Sequence, residues 1–202
     1  MNWLAHLYLS KPSDEYRLGN LLPDFARPSE YRHLQPEILA GVACHNLIDS
    51  FTDSHPVVRQ SVNRLSPKYR RFGGIVIDVF YDHLLTAECD RLGAPPLNEF
   101  TARVHNGIAA FYPLLPPEVS ARFVQVREAG ILDSYRSLDG VELALSRISH
   151  RLRGDVNLAS AVEDLRRNYD LLQDDYKMLF PELRERVARF QETQSRSGDF
   201  KN

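Results

Sequence analysis

Cysteine is scarce in this sequence, and long apolar runs are missing from it. The 202 residues include only two cysteines, Cys44 and Cys89, and each lies within an apolar helical pattern, so a disulfide framework is not expected. No apolar run approaches the roughly 18 residues of a membrane-spanning helix. The N-terminus also lacks the basic region and small-residue cleavage site of a signal peptide. We therefore expect a cytoplasmic protein that does not insert into a membrane.

An excess of charge of one sign is also lacking. The formal net charge is -2, and no block of like charges interrupts the chain. This balance does not favour nucleic-acid binding. The hydrophobic fraction of 43% and charged fraction of 26% are typical of a globular protein, and the length fits one domain.

Alternating apolar patterns and hairpin turns are absent, which excludes most β folds. The short β-branched run GGIVIDVF is the one candidate strand, but it continues at helical period. Pro36 suits a first helical turn and Pro56 a stop, which predicts a helix over 36–54. We predict a single-domain all-α bundle over 1–195 and a flexible tail over 196–202. Further helices are predicted over 3–10, 97–112, 117–130, 138–153, 158–180 and 181–194. The segment GGIVIDVFYDHLLTAECDRLG, residues 73–93, is predicted to be one apolar helix that ends at Gly93, and PVVRQSVNRLSPKYRRFGG, residues 56–74, is predicted to include another short helix and a basic turn. Residues 16–31 are predicted to be a loop with one helical turn.

The segment CHNLIDSFTDSHP, residues 44–56, has an unusual polar stripe. On a helical wheel His45, Asp49 and Asp53 continue the aliphatic stripe of Ile38 and Val42. An unpaired carboxylate in apolar surroundings costs on the order of several kcal/mol, and a cation beside it removes that cost. The stripe therefore indicates a cation.

The following helix repeats the pattern with Asp78 and Asp82 at i, i+4 spacing and His83 next to them. Two such pairs on neighbouring helices can converge on one ion. Oxygen and nitrogen donors favour Mn²⁺ or Mg²⁺, with Zn²⁺ or Fe²⁺ as alternatives. Asp24, in the apolar stretch GNLLPDF, is a further candidate carboxylate.

An alternative without metal remains open at this point. The carboxylates would form a solvated ion-pair network, with Asp24 capping a helix. His6 is interpreted as a satisfied core histidine. Candidate partners are Arg59 or Arg64 for Asp49 and Asp53, and Arg70 or Arg71 for Asp82.

Four sequence blocks in the same order resemble the acyl carrier protein phosphodiesterase family. They are MNWLAHLYLS, GNLLPDF, CHNLIDSFTDSHPVV and IDVFYDHLL, within the first 90 residues or so, and YDLLQDDYKMLFPEL is similar near the end. The family is described as divergent from HD-type metal phosphohydrolases, although this sequence contains no adjacent His-Asp pair. Asn46 stands where family members often carry a basic residue.

The resemblance implies an HD-like helical fold, a divalent cation, commonly Mn²⁺, and hydrolysis of the phosphodiester that joins 4'-phosphopantetheine to a serine of acyl carrier protein. Site residues carry over from the matching blocks. They are His45, Asp49, Asp78 and Asp82 as metal ligands and Asp24, Asp53 and His83 as catalytic residues, with Asp24 also a candidate ligand.

Acyl carrier proteins are strongly acidic, so basic residues are candidate docking sites. The turn PKYRRFGG offers Lys68, Arg70 and Arg71. A second basic stripe comprises Arg147, His150, Arg151 and Arg153. The alternatives in function are hydrolysis of a nucleotide or another small phosphodiester, and a non-catalytic helical interaction protein.

Overall fold

Helices form nearly all of the regular structure. The computed structural model describes residues 1–91, 95–152 and 156–199, and within these ranges it has no strand, which confirms the all-α prediction. The α-helices are α1 Trp3–Tyr8, α2 Asp14–Phe25, α3 Pro28–Tyr31, α4 Pro36–Ser54, α5 Pro56–Arg64, α6 Gly73–Arg91, α7 Leu97–Ala109, α8 Pro117–Glu128, α9 Ile131–Ser134, α10 Leu138–Ser149, α11 Val162–Arg167 and α12 Tyr169–Asp199. Short 3-10 helices cover Pro67–Phe72, Tyr112–Leu114 and Ala159–Ala161.

The two helices with the carboxylate pairs form as predicted. Helix α4 has Pro36 in its first turn, and the chain becomes extended at His55, where the next helix starts with Pro56. GGIVIDVF begins α6 rather than a strand. The predicted stop at Gly93 lies outside the described residues.

The loop predicted over 16–31 is wrong, because α2 occupies most of it. Its start is stabilised by Ser13, whose side chain accepts a hydrogen bond from the backbone N–H of Tyr16 (3.2 Å), and acidic residues fill the first turn. Pro23 is tolerated because it lies in the last turn, where few further backbone bonds depend on it.

Helices α2 and α4 approach each other backbone to backbone through two glycines. A Cβ on Gly19 would lie 1.9 Å from the carbonyl oxygen of Ile38, and one on Gly41 would lie 2.1 Å from that of Tyr16. Only glycine allows this separation. The close contact compensates the low helix propensity of Gly19 and brings α2 against the polar stripe of α4.

The C-terminal helix is longer than predicted. The sequence predicts two helices, over 158–180 and 181–194. The structure instead interrupts the first at Asn168 and continues from Tyr169 as one helix that runs through Pro181. Asp175 of α12 is buried and accepts hydrogen bonds from Gln60, Ser61 and Arg64, which ties α12 to α5. The predicted tail boundary at 196 and the HD-like arrangement remain predictions. In the ranges described, no helix has both the length and the apolar character needed to cross a membrane.

Candidate metal centre and cleft

Carboxylates from three helices line one cleft of about 390 Å³. They are Asp24 from the last turn of α2, Asp49 and Asp53 from α4, and Asp78 from α6. The helical packing thus brings these four predicted residues together. Arg147 and Arg151, on and just after α10, line the same cleft.

Two buried histidines contact one of these carboxylates. His45 Nε2 lies 3.0 Å from Asp49 Oδ2, and His6 Nε2, from α1, lies 3.1 Å from Asp49 Oδ1. The two imidazole rings stack with centroids 4.3 Å apart. Among the described residues, this trio is the cluster whose donor atoms lie close enough to hold a metal ion.

The other ring nitrogens determine where the imidazole protons lie. His45 Nδ1 is 2.8 Å from the backbone oxygen of Asn20, which only accepts, so this nitrogen carries a proton. The side-chain amide of Asn20 donates to the backbone oxygen of His6 and to Ser10 Oγ, which turns its Oδ1 toward His6 Nδ1 (3.0 Å). With Nδ1 protonated, Nε2 of each ring is either a lone pair in a neutral imidazole or an N–H that donates to Asp49 in a charged one, and Nε2 of His6 also lies 3.2 Å from the backbone oxygen of Met1.

A lone pair on Nε2 would face a lone pair on a carboxylate oxygen of Asp49, and two arrangements avoid this repulsion. Either both stacked rings are positively charged, or a cation lies between the two imidazoles and Asp49. A divalent ion satisfies all three donors and leaves both rings neutral. The candidate ligand atoms of His6, His45 and Asp49 all lie within 4.8 Å of one another. The donor set therefore fits a divalent metal.

Asp49 and His45 also bias each other's protonation. Burial raises the pKa of Asp49, but the hydrogen bonds from His45 and His6 outweigh burial and hold this pKa well below its usual range. Burial lowers the pKa of His45, yet Asp49 and the backbone of Asn20 raise it above its ordinary value. Asp49 is thus kept as a carboxylate, the form that binds a cation.

The remaining cleft carboxylates differ in their surroundings. Asp24 Oδ2 accepts a hydrogen bond from Trp3 Nε1 (2.9 Å). Asp78 Oδ1 lies 3.0 Å from the amino nitrogen of Met1. Burial and the charge of Asp78 raise the pKa of Asp53 above its ordinary value.

Asp82 is fully buried and lies outside the cleft lining. Its two oxygens accept hydrogen bonds from the backbone N–H groups of Leu4 (2.8 Å) and Ala5 (3.1 Å), the free donors at the start of α1. Burial raises the pKa of Asp82 to about 7. Asp82 therefore holds the helix that carries His6.

His83 also points away from the cleft lining. Its Nδ1 lies 2.8 Å from the backbone oxygen of Tyr135, and its Nε2 lies 3.1 Å from the hydroxyl of Tyr169. Burial lowers the pKa of His83, so the ring is kept neutral. These contacts link α6 to the segment after α9 and to α12.

The predicted docking residues lie on the 3-10 helix over 67–72, outside the cleft lining. Arg70 donates to the backbone oxygens of Leu65 and Asn63 at the end of α5. Lys68 and Arg71 are exposed and lie over the neighbouring aromatic rings. In the second basic stripe, Arg147 and Arg151 line the cleft, and Arg153 lies outside the described residues.

The ion-pair alternative does not account for the carboxylates. Arg64 pairs with Asp175, and Arg59 donates to the backbone oxygen of Ser54.

His6 and Asn20 are the residues that sequence reasoning missed. His6 lies in the block MNWLAHLYLS, and its i, i+4 spacing from Asn2 was the available signal, whereas nothing in the sequence marks the backbone oxygen of Asn20.

The chain is similar to known proteins along nearly its whole length. The family model described as "Acyl carrier protein phosphodiesterase" matches residues 1–183. Curated proteins named acyl carrier protein phosphodiesterase from Salmonella dublin, Salmonella agona and Salmonella newport are each 31% identical to the chain, over 94% of the chain and 98% of the relative. No solved structure matches the chain significantly. The chain belongs to the acyl carrier protein phosphodiesterase family.

Proposed function

We propose that the protein is a metal-dependent phosphodiester hydrolase that removes 4'-phosphopantetheine from the serine of holo-acyl carrier protein. Family membership supports the reaction and the substrate. The observation that carries the proposed metal dependence is the cluster of His6, His45 and Asp49, whose candidate ligand atoms all lie within 4.8 Å of one another.

His6, His45 and Asp49 would hold the ion, and Asn20 would fix both rings. When bound, a divalent ion supplies Lewis acidity that offsets phosphate charge and favours deprotonation of water. The mixed nitrogen and oxygen donors suit Mn²⁺, with Mg²⁺, Fe²⁺ or Zn²⁺ as alternatives. Asp78 stays a proposed ligand because it lines the same cleft.

The cleft carboxylates are placed to move protons. In the proposed reaction a water oxygen bonds to phosphorus, the bond from phosphorus to the serine oxygen breaks, and that oxygen takes up a proton. Asp53, which lines the cleft and has a raised pKa, is the proposed donor. Asp24 is the proposed acceptor of the proton from water, oriented by Trp3.

Asp82 and His83 receive different proposed roles. Asp82 accepts two backbone N–H groups of α1 and His83 is occupied by Tyr135 and Tyr169, so neither reaches the cleft. We propose that Asp82 positions His6 through α1 and that His83 positions the helices around it.

The decisive experiment is incubation of the protein with holo-carrier and Mn²⁺, read by intact mass. We expect the carrier to lose the mass of 4'-phosphopantetheine, the loss to stop with a chelator, and Asp49→Ala and His45→Ala to abolish it while the helical circular dichroism signal persists. A carrier left intact by the wild-type protein with Mn²⁺, Mg²⁺, Fe²⁺ and Zn²⁺ would refute the proposal.

A small phosphodiester substrate separates the alternatives. A protein that hydrolyses bis(p-nitrophenyl) phosphate but not holo-carrier would have a metal site with another substrate. A protein that binds no metal would be an interaction protein. Because carrier proteins act in the cytoplasm, the proposed substrate also places this protein there.

A further inference from the structure

We infer that Arg147 and Arg151 bind the phosphate of the substrate and that an adjoining cavity, here called the side groove, holds its pantetheine chain. This inference rests on the proposed function and adds the residues that recognise the leaving half of the substrate.

The side groove is continuous with the carboxylate cleft. Both cavities are lined by Trp3, Asp24, Ile131, Arg147 and Arg151. The side groove measures about 600 Å³, within the range of about 300–1,000 Å³ that is usual for small-molecule sites. A molecule that reacts beside Asp49 can therefore extend past the two arginines without leaving the protein.

Arg151 Nε donates a long hydrogen bond to the backbone oxygen of Arg147 (3.5 Å), but neither guanidinium group has a carboxylate partner in the described part of the chain. The Nη1 atom of Arg147 is buried and has no hydrogen-bond partner among the described residues. A buried guanidinium N–H without an acceptor is costly, and an anion would satisfy it.

Their place beside the carboxylates indicates which anion they bind. The cleft is lined by Asp49 and Asp78 as well as by Arg147 and Arg151. A phosphodiester in this cleft would contact both the proposed cation and the guanidinium groups. The planar guanidinium group of arginine can donate two parallel hydrogen bonds to two phosphate oxygens, and this bidentate contact also orients the phosphate.

The remaining wall of the side groove suits a chain with methylene and amide groups. Trp3 and Phe25 pack against each other with ring centroids 4.9 Å apart, and Val126 adds aliphatic surface. Gln125, exposed at this wall, offers a donor and an acceptor for amide groups. The folded carrier domain is far larger than the groove, so the flexible arm is its proposed occupant.

The test is direct binding of three ligands to the full chain. They are free 4'-phosphopantetheine, pantetheine without phosphate, and inorganic phosphate, measured by calorimetry. We expect Arg147→Ala and Arg151→Ala each to weaken binding of 4'-phosphopantetheine by about tenfold or more and to leave pantetheine binding unchanged. Arg147→Lys should recover part of the affinity, because lysine keeps the charge but not the bidentate geometry.

A second variant tests the groove independently of the arginines. Ala129 is exposed at the groove wall, and Ala129→Phe fills the space. We expect it to weaken 4'-phosphopantetheine and pantetheine binding while inorganic phosphate binds as before. Arg186→Ala, which removes one exposed positive charge from α12, is the matched control and should change none of the three affinities.

Two results would overturn the inference. One is wild-type affinity for 4'-phosphopantetheine in both arginine variants, and the other is unchanged pantetheine binding in Ala129→Phe. Cleavage of holo-carrier is measured on the same samples. Normal cleavage by the wild-type protein together with either result overturns only this inference, whereas absence of cleavage by the wild-type protein overturns the proposed function.

Discussion

At the scale of single residues, the site depends on how Asn20 determines which imidazole nitrogens are free. Its backbone oxygen accepts the Nδ1 proton of His45, and its side chain orients His6. Nε2 of both rings then faces Asp49. This is a preorganised donor set, because the ligands are fixed by contacts that do not involve the ion.

The first prediction concerns the pH dependence of metal binding. Asp49 raises the pKa of His45, so a proton competes with the metal up to and above pH 6.5. We expect the apparent affinity for Mn²⁺ to increase as pH rises from 6 to 8, by at most about tenfold per pH unit for one displaced proton.

The single tryptophan, Trp3, lines the cleft and offers a fluorescence signal for this titration. Calorimetry in two buffers of different ionisation enthalpy would count the released protons. His33→Gln, at an exposed histidine, should keep the same slope as the wild-type protein. An affinity that does not vary with pH would contradict proton competition at His45.

At the scale of helices, the site requires α1, α2, α4 and α6 to meet at fixed distances. Gly19 and Gly41 let α2 and α4 approach until the backbone oxygen of Asn20 reaches His45. Asp82 of α6 holds the first turn of α1, and with it His6. The proposed ligands are therefore placed by contacts between helix backbones.

Gly41→Ala tests the contact between α2 and α4. The added methyl group would lie 2.1 Å from the backbone oxygen of Tyr16, so the helices must separate. We expect a loss of about 1–3 kcal/mol in the free energy of unfolding and weaker Mn²⁺ binding.

Gly74→Ala is the matched control for Gly41→Ala. No atom lies within 4 Å of the position of its Cβ, so we expect it to stabilise the protein by about 0.4–1 kcal/mol through lower unfolded-state entropy. Urea unfolding measures both effects. Equal stabilities of the two variants would show that the helices can separate without cost.

Asp82 predicts a particular dependence of stability on pH. Its folded-state pKa of about 7 lies above its ordinary value of 3.8, so between these values the folded protein keeps a proton that the unfolded chain loses. Protonated Asp82 therefore contributes to the free energy of unfolding in full below pH 3.8, and this contribution is lost as pH rises through 7.

The matching variant is Asp82→Asn, which cannot ionise. As pH rises from 4 to 7, we expect the free energy of unfolding of the wild-type protein to fall relative to that of this variant. The shift should be about 1.4 kcal/mol per pH unit at most. Urea unfolding in the presence of a chelator measures it, and parallel pH curves would contradict the raised pKa.

At the scale of the whole molecule, the cleft and the basic 3-10 helix occupy different parts of the surface. Lys68 and Arg71 are exposed there, whereas Arg70 holds the end of α5. An acidic carrier would meet the exposed pair through long-range attraction, which salt screens.

Charge reversal in Lys68→Glu/Arg71→Glu tests that encounter and leaves Arg70 in place. We expect KM for the carrier to rise severalfold at low salt and much less at 0.5 M salt, with kcat unchanged. Hydrolysis of a small phosphodiester is the control and should not change. An unchanged KM at low salt would remove this surface from the docking site.

The sequence by itself determined that the protein is all-α and that α4 and α6 carry acidic residues on faces that would otherwise be apolar. Periodicity and proline positions are local properties, so they predicted these helices. The same local rules failed for α2, because Gly19 and Pro23 weaken a helix whose stability comes from its contact with α4. Similarity to a known family also came from the sequence.

Only the tertiary structure decided which side chains share a site. It joined His6 to His45 and Asp49, directed Asp82 to the start of α1, and placed Arg147 and Arg151 in the lining of the carboxylate cleft. These contacts join residues far apart in the chain. A helical wheel gives the direction of a side chain on its own helix, but the partner it meets depends on how closely neighbouring backbones approach.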